Sequence, residues 1–142
     1  MPDSTWPYAF ALVGLLVGCA SSESERESPT FAAVQAVFDA HCTGCHNPST
    51  SLTPGVRRYP ELPLTAGQSY QGLVGRAAHE SCGGTLVVPG DPATSYLVRK
   101  LVDSAPCEGS QMPATGEAIL PQPLPQAELD AVTTWIAAGA PD

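Results

Sequence analysis

The chain has 142 residues, enough for one domain and a short N-terminal appendage. Apolar residues make up 43 %, sufficient for a core, but aromatics reach only 6 %, and 13 Gly with 15 Pro imply long, turn-rich connections between few regular elements. A net charge of -8, with only 6 Lys and Arg, leaves no basic stripe or arm; it argues against nucleic-acid binding and for solubility or a basic partner surface.

The first element is "YAFALVGLLVGC", an apolar run ending at Cys19. A spanning helix needs ~20 apolar residues, so this shorter run reads as the h-region of a signal peptide over residues 1–18. Leu16-Val17-Gly18-Cys19 resembles a bacterial lipobox, which implies cleavage before Cys19 and a diacylglycerol on its sulfur. The n-region "MPDSTWPY" departs from the pattern in lacking Lys and Arg, and the alternative is an ordinary cleaved signal with an incidental cysteine. Either way the chain is exported, and the residues after Cys19 favour the outer membrane. Residues 19–29 are Ser-rich and charged and read as a flexible tether. The globular domain is expected over residues 30–142.

"TFAAVQAVFDAHC" places Phe31, Val34, Val37 and Phe38 at helical spacing, with Thr30 as N-cap behind Pro29. This helix runs straight into Cys42-Thr43-Gly44-Cys45-His46, which fits C-x-x-C-H, the c-type haem attachment pattern. Two thiols at that spacing can each add to one porphyrin vinyl group, and the adjacent imidazole then serves as proximal iron ligand. Small Thr43 and Gly44 let the backbone approach the ring edge. Two other chemistries compete. A redox dithiol would expect a βαβ context, and a structural zinc site would want a second ligand pair, whereas Cys82 and Cys107 stand far apart. His41, beside Cys42, reads as solvent-facing or hydrogen-bonded.

After a Pro-rich stretch from Pro48 to Pro63, "TAGQSYQGLVG" predicts a short helix from about Thr65. "DPATSYLVRKLV" predicts another, with Asp91 at the N-cap, Pro92 in the first turn, and Leu97, Val98 and Leu101 inward. "PQAELDAVTTWIAAGAP" predicts the last, opened by Pro125, with Leu129, Val132, Trp135 and Ile136 on one face and Gly139 as its stop. No stretch alternates as a strand pair, so the expected fold is all-α, three to four short helices joined by long loops.

A second axial ligand must come from elsewhere. Met1 leaves with the signal, so Met112, in the irregular loop "CEGSQMPATG", is the remaining methionine. His79, in "RAAHESCGG", is the rival as a bis-His partner. Once Cys19, Cys42 and Cys45 are assigned, Cys82 and Cys107 remain. Their pairing would close a loop worth ~3 kcal/mol and tie it to the segment before Met112; the alternative is two free buried thiols.

A helix entering C-x-x-C-H, a Met-Pro loop and a C-terminal helix carrying an aromatic resemble class I cytochrome c. The stretches "VVPGDPATSYLVRKL", "MP" and "LPQAELDAVTTWIAAGAP" are similar, more narrowly, to cytochrome-c-like lipoproteins of Gram-negative bacteria. The resemblance implies a cytochrome c fold with crossed terminal helices around one covalently bound haem c. It implies thioethers at Cys42 and Cys45, His46 as proximal and Met112 as distal iron ligand. The His46 ring N–H is expected on a proline carbonyl, Pro54 or Pro60. The function implied is a membrane-anchored electron carrier with redox-protein partners in the periplasm, not an enzyme. The alternatives are a haem enzyme or gas sensor with an open distal site, and a haem-free binding lipoprotein.

Overall fold

The computed structural model describes residues 30–48, 59, 61–78, 81–115 and 120–142. The expected signal peptide, the tether with Cys19, and Pro54, Pro60 and His79 lie outside the described residues. In chain order the elements are α1 (Phe31–His41), α2 (Ser69–Leu73), α3 (Tyr96–Val102), β1 (Ala114–Thr115), β2 (Leu120–Pro121) and α4 (Gln126–Ala137).

Helix α1 buries Val34, Gln35, Val37 and Phe38, the inward stripe of an amphipathic helix apart from the amide at Gln35. Thr30 occupies the N-cap position, but its side chain makes no capping bond. Its carbonyl instead accepts from the Ala33 and Val34 N–H groups at 3.0 and 3.5 Å. Helix α4 follows Pro125 and buries Val132, Trp135 and Ile136. Gly139, at φ +96°, ends it in the left-handed region that glycine enters without steric cost.

The two terminal helices pack on each other, and α3 packs on α4. Phe31 lies at the centre of an aromatic cluster, 5.3 Å from Trp135 and 5.1 Å from Tyr70 between ring centroids. The chain beyond α4 folds back over this cluster. Trp135 Nε1 donates to the Pro141 carbonyl at 2.7 Å, and the Tyr70 hydroxyl donates to the Ala140 carbonyl at 3.0 Å. At the other end of the α1–α4 contact, His41 Nε2 lies 2.7 Å from Glu128 Oε2. His41 ends α1 and Glu128 sits in the first turn of α4, where the helix dipole favours its carboxylate.

Helix α3 begins later than the sequence predicts. Asp91 Oδ1 accepts from the Ala93 and Thr94 N–H groups at 3.1 and 3.2 Å, capping a separate turn. Ser95 then takes the N-cap position, its hydroxyl accepting from Val88 N–H at 2.9 Å and donating to the Asp91 carbonyl at 2.8 Å.

The all-α expectation did not include β1 and β2, which pair antiparallel with Ala114 opposite Pro121 and Thr115 opposite Leu120. Strands of two residues are too short for an alternating pattern to register. Isolated bridges, Val74 to Val87, Ala77 to Thr85 and Thr85 to Ser95, tie the segment after α2 to the approach to α3.

Candidate functional site

The C-x-x-C-H residues occupy the turn that ends α1. Cys42 is its C-cap, with its N–H on the Phe38 carbonyl at 2.8 Å. The Cys42 carbonyl then accepts from both Cys45 and His46 N–H, at 3.0 and 2.9 Å. The Thr43 hydroxyl donates to Asp39 O at 3.2 Å, and Asn47 Nδ2 donates to Thr43 O at 2.6 Å. Backbone bonds to the Cys42 carbonyl, with these two side-chain bonds, hold Cys42, Cys45 and His46 together in the turn. A Cβ added at Gly44 would meet nothing within 4 Å, so the turn is open there.

His46 is gripped on several sides. Its Nδ1 lies 3.2 Å from the Leu62 carbonyl, which can only accept, so Nδ1 carries the proton and the neutral ring presents its lone pair at Nε2. The Tyr59 ring stacks on the imidazole at 5.2 Å and 23°. The His46 carbonyl accepts from Leu64 N–H at 2.9 Å, and the Cys45 carbonyl from Tyr59 N–H at 3.0 Å. Burial pushes the imidazole below its usual titration range, aided by the Lys100 charge and opposed by the Leu62 bond and Glu61. The ring is thus neutral at pH 7, the form a metal-ligating histidine requires.

The ring acceptor corrects the expectation of Pro54 or Pro60: it is Leu62, immediately before Pro63. Every residue carries a carbonyl, so nothing in residue type marks the one that meets the ring. Tyr59 carried a weak signal as the lone aromatic of the Pro-rich stretch.

Cys42 and Cys45 are free thiols. Cys42 packs against the hydrophobic core, and burial, with Cys45 adding, pushes its thiol up to about 12 from 9.0. A shift of that size lowers the thiolate fraction about a thousandfold below both values. Greater nucleophilicity of the more basic thiolate recovers roughly half of this in log units, leaving about a thirtyfold slowing. Iodoacetamide at pH 8 is therefore expected to label Cys42 in the haem-free chain about thirtyfold more slowly than after unfolding in urea. Time-resolved peptide mass spectrometry checks this.

Met112 is half-buried against the same core that Cys42 touches. Its N–H donates to the Lys100 carbonyl at 2.8 Å, and Gln111 Nε2 donates to the Leu101 carbonyl at 2.7 Å, so the segment is strapped along the end of α3. Lys100 Nζ donates to the Glu108 carbonyl on the same strap. Gly109, at φ +65° with Lys100 Nζ 3.2 Å from where a Cβ would sit, holds a backbone conformation that a side chain would strain. Because the Lys100 charge also acts on His46, α3 links the strap to the histidine. Cys82 and Cys107 form a disulfide with Cα atoms 5.5 Å apart, closing a separation of 25 residues around α3. It joins the loop before α3 to the start of the Met112 strap.

The turn holds two free thiols and a neutral imidazole, and the strap holds a thioether on a separate segment. Ser110 Oγ, buried and without a hydrogen-bond partner, adds a polar group two residues from Met112. Among the described residues, no three of His, Cys, Asp and Glu are grouped to hold a metal ion. No helix among them is long and apolar enough to cross a membrane. No family model, curated protein or solved structure matches the chain.

Proposed function

We propose that the chain is a monohaem c-type cytochrome carrying single electrons between redox partners, anchored through a lipid on Cys19 to a bacterial membrane and facing the periplasm. The observation that carries this reading is the contact of His46 Nδ1 with the Leu62 carbonyl, which supports a ring that keeps Nε2 as a ligand. The rival chemistries fit less well. An oxidoreductase C-x-x-C depends on a thiolate of depressed pKa, whereas the Cys42 thiol is raised. A zinc site needs further ligands, and the described residues do not group them.

When bound, the haem supplies Fe(III)/Fe(II) one-electron chemistry. Cys42 and Cys45 hold it through thioethers. His46 Nε2, oriented by the Leu62 carbonyl and the Tyr59 ring, would supply the imidazole ligand to the iron. Met112, held by the Lys100 carbonyl and by the disulfide behind it, would supply the thioether ligand to the iron. The net charge of -8 makes a basic redox partner the expected docking match.

The test is the oxidised and reduced visible spectrum of the full chain made with haem-attachment machinery, together with a pyridine haemochrome assay. The wild type is expected to be low-spin with a weak near-infrared Met–Fe(III) band. Met112→Ala is expected to lose that band and shift the potential downward, since a thioether ligand raises it. A high-spin wild type would instead place the chain among haem enzymes or sensors, and a chain without haem would end the reading.

A further inference from the structure

We infer that Gln35, outside the attachment motif, is a positioning residue that sets the tautomer and orientation of His46 through the segment from Leu62 to Leu64. The inference rests on reading His46 as the axial ligand. Gln35 lies on the buried face of α1, 9 % exposed, where its neighbours Val34, Val37 and Phe38 are apolar. An amide there must satisfy two donors and an acceptor, because each unmet group carries a desolvation cost.

All are met, and each bond leads to a different part of the structure. Nε2 donates to the Leu64 carbonyl at 2.9 Å and to Asp39 Oδ1 at 2.9 Å. Oε1 accepts from the Ser69 hydroxyl, itself fully buried in α2. One side chain thus joins α1, the segment before α2, and α2.

The Leu62–Leu64 segment grips His46 at both ends. Leu64 N–H donates to the His46 carbonyl at 2.9 Å, and the Leu62 carbonyl accepts from His46 Nδ1 at 3.2 Å. Between them stands Pro63, whose ring fixes its own φ and restricts Leu62 before it. A displacement at Leu64 is therefore passed to the Leu62 carbonyl rather than absorbed. Gln35 holds Leu64 from behind, so it holds the acceptor that keeps the proton on Nδ1. Without that acceptor, a neutral imidazole favours the opposite tautomer, with Nε2 protonated and unable to ligate.

The experiment uses the full haem-free chain labelled with 15N at histidine, at a pH where the His46 ring is neutral. Ring nitrogen shifts then report the two tautomers. Wild type is expected to hold the Nδ1–H form, and Gln35→Leu to lower its ratio to the Nε2–H form about fivefold, the worth of one net hydrogen bond. Ser69→Ala, a milder change, is expected to shift the ratio in the same direction and keeps the test open should Gln35→Leu fail to fold. Val132→Ala, a change in the core that makes no hydrogen bond in this network, is expected to leave the ratio unchanged. An unchanged ratio in both network variants, or an equal fall in Val132→Ala, overturns the positioning role. The haemochrome assay on the wild type separates this from the proposed function. A haem-free result with a tautomer shift removes the axial role and leaves the coupling standing, whereas a haem-bearing chain with no shift does the reverse.

Discussion

Trp135→Ala is expected to lower the stability of the folded chain by about 4 kcal/mol in equilibrium chemical denaturation. Trp135 is fully buried, and its ring meets both Phe31 on α1 and Tyr70 on α2. Truncation removes the largest fully buried side chain and leaves a cavity at the α1–α4 contact. It also strands the Pro141 carbonyl, which accepts from Nε1 at 2.7 Å. Since domains of this kind have ~5–15 kcal/mol in total, the variant retains only a fraction of its folding free energy. Trp135→Phe keeps most of the ring and gives up the donor, so its expected cost is about 1–2 kcal/mol. A loss below ~1 kcal/mol in the alanine variant would contradict the packing of α1 against α4.

The second large effect concerns the thiols of the turn. With both Cys42 and Cys45 changed to serine, the full chain made with haem-attachment machinery is expected to carry no covalent haem. Intact-mass spectrometry in denaturant reads this directly, because a haem held only by ligation dissociates when the chain unfolds. The single variants are expected to keep one thioether each, with a haemochrome band displaced toward that of a haem bearing a free vinyl group. Serine is close to cysteine in size, and its hydroxyl does not add to a vinyl group under these conditions. The turn itself does not depend on the sulfurs, since backbone bonds from Cys42 O to Cys45 and His46 shape it. Covalent haem surviving in the double variant would remove the thioether assignment altogether.

Parts of this architecture were legible in the sequence because they depend on periodicity. The apolar residues of the terminal helices repeat at helical spacing, and Pro125 and Gly139 mark the bounds of α4 as their backbone chemistry predicts. Elsewhere, local chemistry was ambiguous. Asp91 carries the right side chain for a cap, but Ser95 competes and lies closer to the first apolar residues of α3. Thr30 stands at its expected position without the side-chain bond that justified expecting it.

What the sequence did not reveal is mostly long-range and backbone-borne. The Leu62 carbonyl is chemically the same as any other, and only the folded path puts it against Nδ1. Gln35 lies beside the apolar stripe of α1, and its partners Leu64 and Ser69 are 29 and 34 residues away in the chain. His41 was read as a bystander, and its partner Glu128 lies in the other terminal helix, beyond the reach of any local pattern.

The pairing of the first described helix with the last has a consequence in time. Synthesis runs from the N-terminus, so the turn bearing Cys42 and Cys45 is complete long before Gln126–Ala137 exists. Until then α1 has no α4 to pack on, and the core that Cys42 packs against lacks Val132, Trp135 and Ile136. Contacts between such distant parts of a chain form late, because closing the intervening loop costs entropy first. Reaction at Cys42 is thus fastest in the interval before the last helix docks. Docking of α4 closes that interval, so the order of events is written into the order of the helices.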